Sequence, residues 1–346
     1  MATVYDVARL AGVSPATVSR VSSGRRVRPE SEARVRSAMD ELDYTPSRLA
    51  QSLRRPHAMV IALIIPDVEN PHFTAIARGV EDESRGAGYS VVLCNSDDDP
   101  RREAAYVGIA LGERMAGVIV APAAAESDFS GLTGAGRAVV AVDRPALGPI
   151  DAALLDDFEL GRAATAALLA AGRRRVACVS GPRAVYTAAR RRAGWKSAMA
   201  AAGRPTAGLT VWGDYRVGGG RQAMAGLLAS KDAPDAVVVA NNLMALGALG
   251  ALGALGDLGA LAPPQRRPPN GRPPDQAQPD RVPPNQARPP ALAVIGDLPF
   301  GMEPPADIIT LPLPARELGR TAAGLLIRRI DGDSQPPQRV IVRQPT

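Results

Sequence analysis

From residue 59 onward the chain alternates short apolar runs with amphipathic stretches, and this alternation constrains the fold more than any other feature of the sequence. Val60 to Ile65 is apolar throughout and reads as a buried parallel strand, and Phe73 to Ala87 reads as a helix with one apolar face. Val91 to Cys94 is the next strand and Pro100 to Arg114 the next helix, followed by strands at Gly117 to Val120 and Ala138 to Val142. A second series runs helix Leu160 to Ala171, strand Val176 to Ser180, helix Ala189 to Ala202 and strand Leu209 to Trp212. It continues with helix Gly219 to Ala229, strand Ala236 to Ala240 and a helix beginning near Leu243. Alternation of this length predicts a doubly wound α/β fold with helices on both sheet faces. Two such lobes can hold a ligand in the cleft at their strand ends.

The first 55 residues follow another pattern. Val4, Val7, Ala8 and Ala11 recur at helical spacing, and Gly12 follows where the chain must reverse. Ser14 and Pro15 then supply an N-cap and a first-turn proline, whose missing N–H costs nothing. In the helix they open, Val18 and Val21 face inward, while Thr17, Ser19 and Arg20 project outward. Two short helices joined by a glycine turn describe a helix-turn-helix whose second helix can enter the major groove of DNA. A third helix is expected from Pro29 to about Asp43, with Ala33, Val35, Met39 and Leu42 toward the core and Arg28 a poor cap. Ten arginines face six acidic residues within positions 1–55, so this segment holds most of the chain's net charge of +6. Phosphate attraction of that kind supplies affinity without sequence information.

Other classes find little support. Cys94 and Cys178 each sit in an apolar strand-like run, so buried reduced thiols are expected, with no disulfide framework, metal site or cofactor. There is no nucleophile elbow, phosphate-binding P-loop or metal-ligand cluster, the histidines number two (His57 and His72), and Gly218 to Gly220 is too slight a signal, so no enzyme is expected. The start has no basic region followed by an apolar stretch, and Ala58 to Pro66 is too short to span a bilayer, so a cytoplasmic protein without membrane partner is expected.

Asp6-Val7-Ala8, Ala11-Gly12-Val13-Ser14, Thr17-Val18-Ser19-Arg20 and the stretch from Tyr44-Thr45-Pro46 through Leu53-Arg54 together resemble the headpiece and hinge of the lactose-repressor (LacI/GalR) family of transcription regulators. The resemblance implies a helix-turn-helix domain over 1–45, a hinge helix over 46–57 and a periplasmic-binding-protein-like effector domain of two doubly wound subdomains over 58–346. It implies double-stranded operator DNA as partner, a sugar or sugar derivative as effector, a homodimer, and nucleoid association when bound. The DNA-facing residues it implies are Thr3, Tyr5, Ser14, Pro15, Ala16, Thr17, Ser19 and Arg20, with Ala50, Leu53 and Arg54 in the hinge. Leu53 stands where the family wedges a leucine into the minor groove, and an apolar wedge that unstacks a step bends the duplex. Pro15 and Ala16 offer methyl and methylene contacts rather than bidentate hydrogen bonds. Arg20 is the candidate for bidentate recognition of guanine, a phosphate contact being the alternative.

Pro66-Asp67 to Phe73, Asn95 to Asp99, Val142 to Pro145 and Glu317 to Arg320 also resemble the family's effector domain. The pocket positions implied are His72, Phe73, Arg144, Arg191, Tyr215, Asn241 and Asp297, types that suit a polyol or small polar ring. Each has a plainer alternative: Arg191 lies in a run of three arginines that solvent could account for, Tyr215 could pack a loop, and Asp143 is expected to hold backbone amides at its strand end.

The chain departs from the family at several points. Residues 263–290 carry eleven prolines and five arginines, reading as a disordered extended insertion left by repeat expansion or serving as a partner-binding arm. Ahead of it, Leu246, Leu249, Leu252, Leu255, Leu258 and Leu261 recur every third residue among glycines that weaken a helix. Asn241-Asn242 stands for the family's Asn-Asp, and the turn at Ile295 to Pro299 lacks an aromatic and an acid, so Asp297 fills either acidic role or neither. No heptad-bearing tail follows the last strand, which favours a dimer over a tetramer. A regulator with a degenerate sensor and a cytosolic solute-binding protein stay open as alternatives.

Overall fold

The computed structural model describes residues 2–22, 26–44, 58–253, 289–298, 302 and 308–344. The hinge positions Ala50, Leu53 and Arg54, together with His57 and the proline-rich run over 263–288, lie outside them. The chain divides into two compact units, Met1–Met59 and Val60–Thr346.

The first unit holds three helices, α1 (Val4–Ala11), α2 (Pro15–Ser22) and α3 (Pro29–Glu41). Thr3 and Asp6 form a reciprocal capping box at the start of α1. Gly12 closes the helix at φ 62°, a left-handed conformation in which a Cβ would be strained. Val7, Ala8, Ala11, Val18, Val21, Val35 and Ala38 make the core. Ala33 is exposed, against expectation, and Ala38 takes its place. At 3.6 residues per turn Ala33 lies about 200° around α3 from Val35, whereas Ala38 lies one turn along the same face. α3 stops at Glu41 because Asp43 turns to φ 46°. Arg28 makes no side-chain cap, as its type predicts.

The second unit contains two parallel sheets. The first has strands β1 (Val60–Ile65), β2 (Ser90–Asn95), β3 (Gly117–Val120), β4 (Ala138–Val142), β5 (Asp151–Leu154) and β11 (Arg339–Ile341), in the order β11-β5-β4-β3-β1-β2. The second has β6 (Val176–Ser180), β7 (Thr210–Trp212), β8 (Ala236–Val239), β9 (Ala291–Ile295) and β10 (Ile308–Leu311), in the order β10-β9-β8-β6-β7. The intervening helices are α4 (Pro71–Gly86), α5 (Pro100–Gly112), the short α6 (Ser130–Gly134), α7 (Asp157–Ala170), α8 (Tyr186–Ala201), α9 (Val217–Leu228), α10 (Asn242–Ala251) and α11 (Ala315–Ile330). The order reverses direction at β1/β3 in one sheet and at β6/β8 in the other, and a crevice opens beyond the carboxyl ends of the strands at such switch points.

Three helix pairs approach at backbone distance, each through glycine on both sides. A Cβ on Gly79 of α4 would lie 1.9 Å from the Arg316 carbonyl of α11, and one on Gly319 would lie 2.1 Å from that of Ile76. A Cβ on Gly161 of α7 would lie 1.9 Å from the Arg191 carbonyl of α8, and one on Gly194 would lie 2.0 Å from that of Phe158. Gly220 of α9 and Gly247 of α10 repeat the arrangement against Met244 and Val217. The glycine at position 247 of the leucine-rich repeat is therefore a packing requirement, whatever it costs in helix propensity. The helix α10 ends at Ala251, and Gly253 follows at φ 68°.

Cys178 is buried and Cys94 half-buried, and both are free thiols. Burial pushes the Cys178 thiol up to about 12 and raises that of Cys94 as well.

Candidate functional sites

In the first unit, α2 buries Val18 and Val21 and turns Ala16 and Arg20 to solvent, with Pro15, Thr17 and Ser19 half-exposed. Ser14 accepts from the Thr17 amide at 3.2 Å, and its hydroxyl lies 3.0 Å from that of Thr17, so both side chains hold the start of the helix. Thr3 is likewise engaged: its hydroxyl donates to Asp6 at 2.6 Å, and that bond, first among its surroundings, holds the Asp6 carboxyl below the usual carboxylate range. Tyr5 is 67% exposed beside the capped end. Ala16 and Arg20, four positions apart, thus share a solvent-facing stripe on a helix anchored by two valines.

The second unit holds a cavity of about 540 Å³ at the strand carboxyl ends of both sheets. Every pocket position named from the sequence borders it: His72 and Phe73 at the start of α4, Arg144 after β4, Arg191 on α8, Tyr215 after β7, Asn241 before α10 and Asp297 after β9.

Asn70 caps α4 by accepting from the His72 amide at 3.0 Å. His72 Nε2 and Asp143 Oδ1 lie 2.7 Å apart, and the Phe73 ring stands edge-on to the imidazole with centroids 5.1 Å apart. Asp143, at φ 64°, gives its carboxylate to this ring rather than to strand-end amides, so the sequence-based expectation for it is corrected. Burial pushes its carboxyl up, but His72, Arg144 and Arg191 outweigh burial and leave it lowered.

Arg144 is buried and donates through Nη1 to Asp98 at 2.5 Å and to the Pro122 carbonyl at 3.2 Å. The loop carrying Pro122 is latched from α5. Glu103, its carboxyl raised by burial, accepts from the Ala123 amide at 2.7 Å and from the Ser127 hydroxyl.

Arg191 departs from the solvated-run reading, for it is 5% exposed. Its Nε donates to Asp157 at 2.7 Å and its Nη1 to the Ala240 carbonyl at 2.6 Å. The Gly161–Arg191 contact makes the pairing possible, because Asp157 lies one turn before Gly161 on the same face of α7.

Tyr215, at φ 64°, lays its ring over Gly181, where a Cβ would sit 2.3 Å from Cζ. Its hydroxyl lies 3.1 Å from that of Thr187, and burial pushes it up to about 12. Asn241 is used at both ends of its amide: Oδ1 accepts from the Met244 amide and Nδ2 donates to the Tyr215 carbonyl, each at 2.9 Å. It shapes the cavity by fixing Tyr215 to the end of α10. Asp297 is exposed in the cavity wall.

The sequence reading missed Asp157, Asp98 and Thr187. No local pattern marks Asp157, since its partner is 34 positions away and the contact needs the helix crossing. Among the described residues no group of three or more His, Cys, Asp or Glu is placed to hold a metal ion, and no helix is long and apolar enough to cross a membrane.

Residues 3–47 match the family model described as "Bacterial regulatory proteins, lacI family". Residues 58–260 match that described as "Periplasmic binding proteins and sugar binding domain of LacI family". The ribose operon repressor of Escherichia coli (strain K12) is 33% identical over 351 residues, covering 98% of this chain and 96% of that protein. A transcriptional regulator CelR–cellobiose complex superposes with a TM-score of 0.67 at 27% identity, covering 99% of this chain and 97% of the other. The lac repressor dimer bound to operator and an anti-inducer has a TM-score of 0.77 over 98% of this chain and 96% of its own; at 23% identity it shares the fold.

Proposed function

The chain belongs to the LacI family of bacterial transcription regulators, and from that premise we propose a homodimeric operator-binding repressor whose DNA affinity is set by a sugar or sugar derivative in the cavity of its second unit. One observation carries the reading of the cavity: seven side chains scattered from His72 to Asp297 in sequence border a single space at the carboxyl ends of both sheets. Arg forks, amides and hydroxyls around an aromatic ring suit hydroxyl groups. The names of the ribose repressor and of the cellobiose complex support a carbohydrate in particular.

On the DNA side α2 enters the major groove, with Arg20 on a guanine edge and Pro15 and Ala16 against thymine methyls. Tyr5, Thr17 and Ser19 flank them, while Thr3 and Ser14 act first as helix caps. Residues 46–57 form the hinge, with Leu53 as the minor-groove wedge between Ala50 and Arg54. Two copies on a pseudo-palindrome give the half-site symmetry that such a headpiece requires. The effector acts by preferring one closure state of the two sheets, since a ligand binding both equally shifts nothing.

The test begins with selection of genomic fragments bound by the purified full chain, whose neighbouring genes point to the effector class. A mobility shift on the selected site then follows with a sugar panel. Specific binding relieved or strengthened by a sugar is the expected result. Absence of preference for any duplex over random competitor overturns the DNA reading, and binding that no metabolite alters overturns the sensor reading.

A further inference from the structure

We propose that the free edge of the second sheet, at β7, docks an acidic extended polypeptide, which adds to the sheet as a further strand. Charge marks the place. The whole chain carries 41 basic residues against 35 acidic ones, yet from residue 183 to residue 213 it carries six basic residues and no acidic one. That stretch runs through α8 and ends just after β7. Arg191 turns inward to Asp157. Arg183, Arg190, Lys196 and Arg204 are exposed and Arg192 is half-exposed. Arg183, Arg192, Thr210 and Trp212, which make the edge surface, do not border the cavity.

Three of these arginines are held on aromatic rings, in a chain with four Phe and two Trp. Arg183 lies over the Trp212 ring at 4.7 Å from its centroid and Arg192 over the same ring at 5.1 Å, while Arg190 lies over Phe158 at 5.2 Å. Arg192 Nε also donates to the Thr210 hydroxyl at 3.4 Å, which ties α8 to the strand edge. Among the described residues no carboxylate takes these three guanidinium groups. The acids nearby in sequence are engaged elsewhere: Asp156 caps α7, Asp157 holds Arg191, Glu159 holds Arg162, and Asp214 accepts from the Arg216 amide. A guanidinium already fixed over a ring has lost much of its freedom and keeps its fork of N–H donors for a carboxylate.

The strand itself decides between an acidic polypeptide and a nucleic acid. Among the described residues β7 has β6 as its one neighbour. The Leu209 carbonyl accepts from the Cys178 amide and the Gly213 amide donates to the Ser180 carbonyl, so the odd positions turn their backbone toward β6. Thr210 and Trp212 alternate with them and turn their amides and carbonyls outward, where no strand meets them. Those groups match another peptide backbone, whereas phosphates would use the charge alone. The two arginines over Trp212 also occupy the ring that a base would need for stacking. Exposed edges are commonly guarded by charge against pairing with their own copies. Here the guard is of one sign, so it repels a second copy of itself and admits an acidic strand. Side chains of that strand alternate between faces, and acids at every second position fall on the face carrying Arg183 and Arg192.

The experiment is calorimetry on the full chain with a short peptide alternating Glu and Thr. Tryptophan emission is recorded alongside, since Trp212 is half-exposed and Trp195, the other tryptophan, is buried. The comparisons are the same peptide with Gln for Glu, the same peptide N-methylated at alternate residues, and a random DNA duplex. The acidic peptide should bind and change the emission, and its Gln counterpart should bind about tenfold more weakly or worse. N-methylation, which removes backbone donors and keeps the charge, should weaken binding about fivefold or more. Arg183→Glu with Arg192→Glu should weaken the peptide about tenfold or more and the duplex far less, which places the peptide at β7 rather than on the basic first unit. Arg183→Gln, in the loop before α8, should weaken it about threefold and keeps the test open if the double variant does not fold. Failure of the acidic peptide to bind, equal binding by its Gln counterpart, or indifference to the arginine substitutions overturns the proposal. Unchanged affinity after N-methylation overturns strand addition. A loss on the duplex as large as that on the peptide identifies a nucleic-acid surface and overturns the polypeptide partner.

Discussion

Arg191 and Asp157 form an ion pair of 2.7 Å with both side chains almost fully out of solvent. The partners respond differently to burial. Arg191 is held above its ordinary value, burial being outweighed by Asp157 and its neighbours. Asp157 is pushed up to about 6, burial outweighing the pull of Arg191, and its Oδ2 accepts no hydrogen bond among the described residues. The sign follows from that direction. The folded state holds a proton that the unfolded chain releases near 3.8, so this carboxyl's contribution is fully present below about 4 and is lost as pH rises through about 6. Chemical denaturation should therefore show the wild type gaining roughly 1 kcal/mol relative to Asp157→Asn between pH 7 and pH 5. A difference between the two proteins that does not change with pH contradicts the assignment.

Gly226 and Gly247 sit in neighbouring helices and make opposite demands. At Gly226, exposed on α9, an added Cβ meets nothing within 4 Å. At Gly247 it would lie 1.9 Å from a backbone carbonyl and 2.5 Å from the Arg221 amide nitrogen, neither of which can swing aside. Gly226→Ala should stabilise the second unit by about 0.5–1 kcal/mol through helix propensity and a stiffer unfolded chain. Gly247→Ala should destabilise it by about 1–3 kcal/mol, the usual cost of overpacking. Equal shifts of the denaturation midpoint in the two variants contradict the close crossing of α9 and α10.

The parts of this fold legible in the sequence were those where one force dominates. β1 is apolar throughout, and β6 is apolar up to its last residue, Ser180, because both are buried on both faces. The starts of α7, α8 and α9 were placed two to three residues late, because their first turns come before the apolar period begins; Asp156, for example, caps α7. β5 escaped notice because its four residues open on Asp151, whose carboxylate is held by Arg329 at 2.6 Å and the Gln338 amide at 2.7 Å across from β11. The types and positions of the cavity side chains were readable from the family resemblance, yet their partners were not. Asp143 turned to His72, and Arg191 to a carboxylate that a helix crossing delivers, and neither contact leaves a local pattern.

Thr3 separates a structural role from a contact with DNA. Its hydroxyl and amide both reach the Asp6 carboxylate while the Asp6 amide returns to Thr3, closing the first turn of α1. Thr3→Ala in the full chain should cost the first unit about 1 kcal/mol and speed amide exchange in the first turn of α1. Thr3→Ser should retain both. Were Thr3 chiefly a DNA contact, Thr3→Ala would weaken operator binding and leave the exchange rates alone.

Arg20 offers the sharpest test of the proposal that α2 reads a duplex. It is exposed on the same helix that buries Val18 and Val21, so removing it should leave the first unit folded. Its neighbours Pro15 and Ala16 can give only apolar contacts, which leaves Arg20 as the group on this stripe with a two-pronged donor suited to guanine. A base-reading arginine and a phosphate-binding one differ in what their loss does across sequences. Arg20→Ala should weaken binding to the selected operator by about tenfold to a hundredfold, roughly 1–3 kcal/mol, and relax the preference at one base pair per half-site. Binding to random duplex should fall far less. A uniform loss on both duplexes, with the salt dependence reduced by about one phosphate contact, would move Arg20 from reading bases to holding the backbone.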